Sequence, residues 1–244
     1  MTKPITLSLS NIHHEFDGQA IFTNINLNVH QGDVVAIVGV SGVGKTTLFD
    51  IASGLIPPKH GQVIIDGRDV TACAGHVGYM LQKDLLLPFK CIYDNIALPL
   101  TLKNTPKDII HQKITALLPA FGLEGLTHKH PTQLSGGQRQ RVALLRTYLS
   151  NDKIMLLDEP FSALDFITKN QMYDWFDKFR THAHLTCLII THDIDEAMRL
   201  SDHLYVLSGY PATLSSHFVI PKTHNFAQSQ EYLSLKNQIL NTLK

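Results

Sequence analysis

The sequence carries no excess of either charge: 21 Lys and Arg balance 21 Asp and Glu across 244 residues. Without a basic stripe there is no electrostatic footprint for nucleic acid, which is therefore not expected among the partners. No run approaches the roughly 18 uninterrupted apolar residues of a membrane-spanning helix. The segment Met1–Ile5 lacks the apolar core of a secretory signal. Cysteine is scarce; Cys73, Cys91 and Cys187 are scattered and odd in number, which fits free cytosolic thiols and not a disulfide framework. There is no internal repeat and no low-complexity stretch. Histidine alone is abundant, at 14 residues. The pairs His13/His14, His128/His130 and His182/His184 match neither a helical H-x3-H pair nor a zinc pattern, and no metal site is assigned to them.

What is present reads first as strand. Ile25, Leu27 and Val29 alternate with asparagines, the period-two signature of a half-buried strand. Gln62–Asp66 runs into Asp66-Gly67, a hairpin turn signal. Asp33–Val38 is a short continuous apolar run, suited to a strand buried on both faces. A helix is predicted from Lys45 to near Gly54. Thr105-Pro106-Lys107-Asp108 predicts a helix start with Thr105 as cap, and Ile110, Ile114, Leu117, Leu118 and Phe121 then share one helical face. Pro119 should distort the end of that helix and Gly122 can terminate it. A second helix should begin just after Ser135. Three apolar strands follow at Ile154–Leu157, Cys187–Ile190 and Leu204–Leu207, separated by helical patterns, which indicates a parallel sheet with right-handed crossovers. Beyond about residue 212 the chain reads as a polar tail, with a last helix near Ser229–Leu243.

Chemistry concentrates in a few short motifs. Gly39, Val40, Ser41, Gly42, Val43, Gly44, Lys45 and Thr46 fit G-x-x-x-x-G-K-[ST], directly after the apolar run and before a helix. Glycines let the backbone curl so that successive N–H groups converge on phosphate oxygens, and the helix N-terminus points its positive end at the same anion. Lys45 supplies a flexible cation for β- and γ-phosphates, and Thr46 supplies a hydroxyl for Mg²⁺. Thr47, next on the helix, belongs to the same phosphate-binding segment. Asp158 ends an apolar strand, at the edge of a parallel sheet where ligands bind, and can hold Mg²⁺. Glu159 follows it and can polarise an attacking water as general base. His192 ends the next strand; it is either a turn residue or a γ-phosphate contact. Gln82 follows the short strand candidate Gly78–Leu81, and its amide can meet both Mg²⁺ and water.

A second glycine segment, Leu134-Ser135-Gly136-Gly137-Gln138, lies 90 positions beyond Lys45. Together with Gly39–Thr46, Gln82, Asp158, Glu159, Ser162–Asp165 and His192, it stands in the order found in ATP-binding-cassette (ABC) proteins. The chain resembles the ATPase subunit of an ABC transporter over about residues 5–210. The resemblance implies an α/β fold: a P-loop NTPase with a RecA-like parallel-sheet core, an N-terminal antiparallel β subdomain and a helical insertion. It implies a single ABC domain, with residues 1–83 and 151–211 as the β/RecA-like core, 84–150 as the helical signature subdomain and 212–244 as the tail. ATP and Mg²⁺ are the implied cofactors. By the same resemblance Ser135, Gly136, Gly137 and Gln138 face ATP held by a second copy, and Asp165 lies in the loop crossing that head-to-tail interface. An aromatic residue stacked on adenine is also implied; Phe16 stands in the matching place and is otherwise a core strand residue. Leu145-Arg146-Thr147-Tyr148 departs from the usual Ala-Arg-Ala and should alter packing behind the signature helix.

The gap of 90 residues between motifs leaves no room for the long coiled coil of repair and chromosome relatives. Met80–Lys90, Asp94–Pro99 and Thr191–Ala197 are similar to importer subunits of the nitrate, sulfonate, taurine and thiamine-precursor group. That similarity implies catalysis by Glu159, His192 and Lys45, docking on a separate membrane permease at the cytoplasmic face, and a solute-binding protein in the same system. The chain ends soon after the core, without the long regulatory domain of some sugar importers. Leu85–Phe89 and Ile92 are either the docking surface or core of the insertion. The competing reading is a soluble ABC ATPase of an assembly process, of the iron–sulfur or cell-division type.

Overall fold

The computed structural model describes residues 3–151, 153–223 and 226–243. The N-terminal part forms β1 (Ile5–Phe16), β2 (Gln19–His30) and β3 (Val34–Val38), followed by α1 (Lys45–Ala52), β4 (His60–Ile65), β5 (Arg68–Asp69) and β6 (Gly78–Met80). Then come the helices α2 (Ile92–Leu102), α3 (Lys107–Phe121) and α4 (Gly136–Ser150). The chain returns through β7 (Ile154–Asp158), α5 (Phe166–Ala183), β8 (Thr186–Thr191), α6 (Ile194–Leu200), β9 (His203–Gly209), β10 (Ala212–Val219) and α7 (Gln230–Thr242).

The strands form one ten-stranded sheet in the order β5-β4-β1-β2-β10-β9-β3-β8-β7-β6. Strands β9, β3, β8, β7 and β6 run parallel, whereas β1 pairs antiparallel with both β2 and β4. The continuous apolar character of β3, β7 and β8 has a direct cause: every residue in them is buried, because both faces are covered. Met155 and Leu157 of β7 enter the core shared with α2–α5, while Ile154 and Leu156 enter the core under α1 and the antiparallel lobe. Fully burying one such Leu contributes about 1.5–3 kcal/mol.

Three expectations are corrected. Helix α3 begins one residue later than proposed; Pro106 is its N-cap, in extended conformation, and Thr105 makes no cap. Residues 212–219 are not loose polar tail but β10, antiparallel to β9 and joined to β2 at Ala212–Phe22. Burial alternates along it, but only Ala212 is fully buried and Ser216 stands on the inner face with Leu214 and Phe218, so the apolar signal is weak. Beyond it, Ile220, Phe226 and Ile239 are buried against β9 and α6. Finally, Ile92 is fully buried and Leu86 nearly so, which removes both from any exposed surface; Leu85 and Phe89 remain exposed.

Candidate nucleotide site

The turn from β3 into α1 is built on backbone that only glycine tolerates. Gly44 has φ 102°, and a Cβ there would lie 2.7 Å from the Phe22 ring. Lys45, the first residue of α1, is buried, and its Nζ donates to the carbonyls of Gly39 (2.8 Å) and Val40 (3.1 Å). Burial lowers its pKa, opposed by the charges of Glu159 and Asp158. Thr46 Oγ1 donates to Asp158 Oδ2 at 3.1 Å, which joins the loop to the end of β7. Burial raises the Asp158 pKa, more than the Thr46 hydrogen bond lowers it.

Glu159 is the pivot of the site. Its φ of 46° is a left-handed conformation, costing on the order of 1–3 kcal/mol for a non-glycine residue. The backbone is held there by Glu159 N–H donating to Ile190 O at 2.8 Å and by the Ser162 hydroxyl donating to Glu159 O at 3.0 Å. The side chain is clamped from two directions. Gln82 Nε2 donates to Oε2 at 3.0 Å, and His192 Nδ1 lies 2.9 Å from Oε1. Three strand ends, β6, β7 and β8, thus bring Gln82, Glu159 and His192 together from 110 residues of chain. A cavity of about 540 Å³ opens over them, lined also by Ser41, Gly42, Lys45 and Thr46.

Several sequence-predicted residues lie outside this cavity's lining. Phe16, at the end of β1, is half exposed and packs edge-on against the His14 ring at 4.6 Å. Ser135 caps α4: its Oγ accepts from Gln138 N–H at 3.3 Å, and Gln138 Oε1 accepts from Ser135 N–H at 2.9 Å. Gly137 is required by close packing, since a Cβ would lie 2.9 Å from Thr168 Cγ2. Asp165 caps α5, accepting from the Thr168 hydroxyl at 2.6 Å and from the N–H groups of Thr168 and Ile167. The Thr168 hydroxyl bond, first among these, holds the Asp165 carboxyl below its ordinary pKa. Beside it Phe166 and Ile167 are 81% and 69% exposed, large apolar groups with no cover in this chain.

Sequence reasoning missed the links between α4 and the segments after β6 and β7. The Gln140 amide donates to the Pro160 carbonyl, one residue beyond Glu159. Arg146 donates to the carbonyls of Asp84 (2.5 Å) and Leu85 (2.9 Å), and Arg139 pairs with the Asp84 carboxylate at 3.4 Å. Arg139 and Arg146 are seven residues apart, on one face of α4 toward the segment after Gln82; that spacing was the available signal.

A glycine-lined anion cradle, a lysine, a hydroxyl–carboxylate pair and a clamped glutamate at the carboxyl edge of a parallel sheet define a P-loop ATPase. The sequence matches the ABC transporter family over residues 22–162. It is 42% identical to the ABC transporter ATP-binding protein YtlC of Bacillus subtilis, over 82% of this chain and 76% of that protein. It is 34% identical to the taurine import ATP-binding protein TauB of Escherichia coli K12, over 95% of this chain and 91% of that one. The dimeric ATP-binding cassette MJ0796 in a post-hydrolysis state, bound to ADP and Pi, superposes with a TM-score of 0.73 at 28% identity, over 89% of this chain and all of that one. The chain belongs to the ABC transporter family; it binds ATP and is an ATPase. Among the described residues, no helix is long and apolar enough to cross a membrane.

Proposed function

We propose that the chain powers an ABC importer, docking on a separate permease at the cytoplasmic face of the membrane, for a small organic or anionic solute of the sulfonate, nitrate or thiamine-precursor kind. The likeness to an importer subunit over nearly the whole chain supports this reading. An extracytoplasmic solute-binding protein belongs to the same system. The groove between α2 and α3, about 390 Å³ and lined by Tyr93, Asp94, Ala97, Leu98 and Lys107, adjoins the helix start near exposed Phe89 and suits the permease contact. Co-purification tests it: an integral membrane permease should be recovered, and recovery of soluble scaffold proteins alone would overturn import.

The observation that carries the catalytic reading is the Glu159 clamp. With Nδ1 committed to Glu159, His192 keeps Nε2 for a γ-phosphate oxygen. Glu159 takes the proton of the attacking water, oriented by the Gln82 amide and His192. Lys45 exchanges its two carbonyl partners for phosphate oxygens, and Gly39–Thr47 donates backbone N–H groups to the same anion. The Thr46 hydroxyl and the Asp158 carboxylate, already in contact, with the Gln82 side-chain oxygen, are hard donors that fit Mg²⁺. That ion neutralises charge on the β- and γ-phosphate oxygens when bound.

Phe16 stacks on adenine. Ser135, Gly136, Gly137 and Gln138, at the N-terminus of α4, meet the γ-phosphate of ATP held by a second copy, and the Asp165 loop with exposed Phe166 and Ile167 lies in that interface. Replacing Glu159 with Gln should lower turnover by about 10²–10⁴ and trap an ATP-bound dimer. If the variant remains monomeric with ATP in size-exclusion chromatography, the shared-site arrangement is wrong.

A further inference from the structure

A second cavity, of about 480 Å³, lies between the antiparallel lobe and the β9–β10 hairpin, away from the nucleotide site. Three of the 14 histidines line it: His30, His203 and His217. In the β9–β10 ladder His217 is opposite Tyr205 and His203 is opposite Val219, so the two imidazoles are diagonal neighbours on one face. His203 Nδ1 lies 3.1 Å from His217 Nε2. The other nitrogen of His203, Nε2, lies 3.7 Å from Asp33 Oδ2. The Tyr205 ring stacks on His217 at 4.4 Å and 13°, which fixes the plane of that imidazole.

We propose that His203 Nδ1 and His217 Nε2 form a binding site for a divalent transition-metal ion, Cu²⁺ or Zn²⁺, completed by water. The spacing of the two nitrogens, which is also that of a hydrogen bond between imidazoles, fits such an ion. At metal–nitrogen distances of about 2.0–2.1 Å, two cis ligands stand ~2.9 Å apart in a square-planar site and ~3.3 Å apart in a tetrahedral one. The observed 3.1 Å falls between them, so an ion enters with shifts of about 0.2 Å. Asp33 Oδ2, 3.7 Å from His203 Nε2, places a negative charge on the side of that ring away from Nδ1, where a carboxylate supports an imidazole ligand. Asp33 is itself anchored by Lys3, 2.5 Å away, and faces His30 at 3.9 Å. Among the described residues no three acidic, Cys or His side chains gather into one site, so the protein supplies two ligands and the open positions face solvent. The sequence hid the pair because its members are 14 residues apart on opposite strands.

The test is a Cu²⁺ titration of the full chain in chelator-free buffer, followed by electron paramagnetic resonance. The tightest equivalent should show hyperfine coupling to two imidazole nitrogens. His203→Gln/His217→Gln should lose that equivalent, and Asp33→Asn should weaken it about ten-fold. His13→Gln/His60→Gln, at another histidine pair, with ring centroids 6.1 Å apart, should leave it unchanged. Zn²⁺ at about ten times its dissociation constant should raise Tm by about 3–6 °C in the unaltered protein and in His13→Gln/His60→Gln, and not in His203→Gln/His217→Gln. As a check needing no variant, Zn²⁺ should protect His203 and His217, and not His13 or His60, from acylation by diethyl pyrocarbonate. Survival of the tightest equivalent in the double variant, a single-nitrogen spectrum, or no protection would overturn the proposal and leave the pair as a hydrogen bond only.

Discussion

The two glycine segments solve opposite problems with similar residues. Gly39–Thr46 turns inward. Its lysine is buried on its own carbonyls, its threonine binds the Asp158 carboxylate, and the cavity above it is lined by three strand ends. Leu134–Gln138 turns outward. Its polar groups finish their own helix start through the Ser135–Gln138 box, and Gly136 is half-buried, where a Cβ would meet the Leu164 side chain at 3.2 Å and the Arg139 guanidinium at 4.0 Å. One segment carries its phosphate chemistry complete; the other has a helix N-terminus and no ligand-facing partner within the chain. The difference teaches that glycine serves curvature in the first case, where Gly44 has φ 102°, and close packing in the second, where Gly137 lies against Thr168.

The largest expected effects break this comparison directly. Lys45→Ala should lower turnover by about 10²–10³ and weaken ATP binding by the monomer, because a preorganised cation is lost. Gly136→Asp should lower turnover as much while leaving monomer ATP affinity unchanged, since the new carboxylate faces only the partner's phosphate. Mixing the two inactive variants then separates the models. In a mixed dimer both lesions fall in one site and the other site is intact, so about a quarter of wild-type turnover should return. If the mixture stays inactive while mixed dimers form, the two segments do not act across subunits.

Much of this inward site was legible in sequence, because its motifs are linear. Asp158 and Glu159 end an unbroken apolar strand, and Lys45 and Thr46 follow another; a chain that reads strand, then charge, locates a sheet edge. What was not legible depends on contacts between distant segments. The left-handed backbone at Glu159 comes from Ile190 and Ser162, which no local pattern announces. Gln140 and Arg146 look like ordinary polar positions of a helix, yet one holds Pro160 and the other holds the segment after Gln82. β10 was read as tail because its half-buried inner face mixes Ser216 with Leu214 and Phe218, and Ile92 was left between surface and core because a helix start among apolar residues offers no period to follow.

The burial difference between the two regions also predicts a pH dependence. Behind His192, Glu196 is almost completely buried; it accepts from the Thr191 hydroxyl at 2.9 Å, and its Oε1 has no hydrogen-bond partner. Burial pushes its pKa from an ordinary 4.5 up to about 7, against the Thr191 bond and the Lys169 charge, with Asp193 adding to the rise. A raised carboxyl pKa means the folded protein holds a proton that the unfolded chain has released. Stability is therefore greatest below pH 4.5 for this group and is lost as pH rises through about 7, on the order of 3 kcal/mol in all. Urea unfolding of Glu196→Gln should lack this component, so that its stability relative to wild type rises between pH 5 and 8. Asp165 on the outward side is fully exposed, and Asp165→Asn should show no comparable change in slope over that range. An unchanged slope in Glu196→Gln would mean that the carboxyl is solvated and the inward region less closed than described.

The smallest effect sharpens the outward region alone. Ser135 caps α4, and the proposed shared site gives it a second, separable task of meeting a partner's phosphate. Ser135→Ala removes the cap acceptor for Gln138 N–H and should cost about 1 kcal/mol, or about 2–4 °C in Tm. Ser135→Asp keeps an acceptor of equal capping strength and adds a negative charge at a helix N-terminus, so stability should be retained or slightly raised. The same charge repels a γ-phosphate. Turnover should therefore be lower in the more stable Ser135→Asp than in the less stable Ser135→Ala. A segment whose only task was to start a helix would give the reverse ranking, with activity following stability, and that outcome would reduce the signature to a cap.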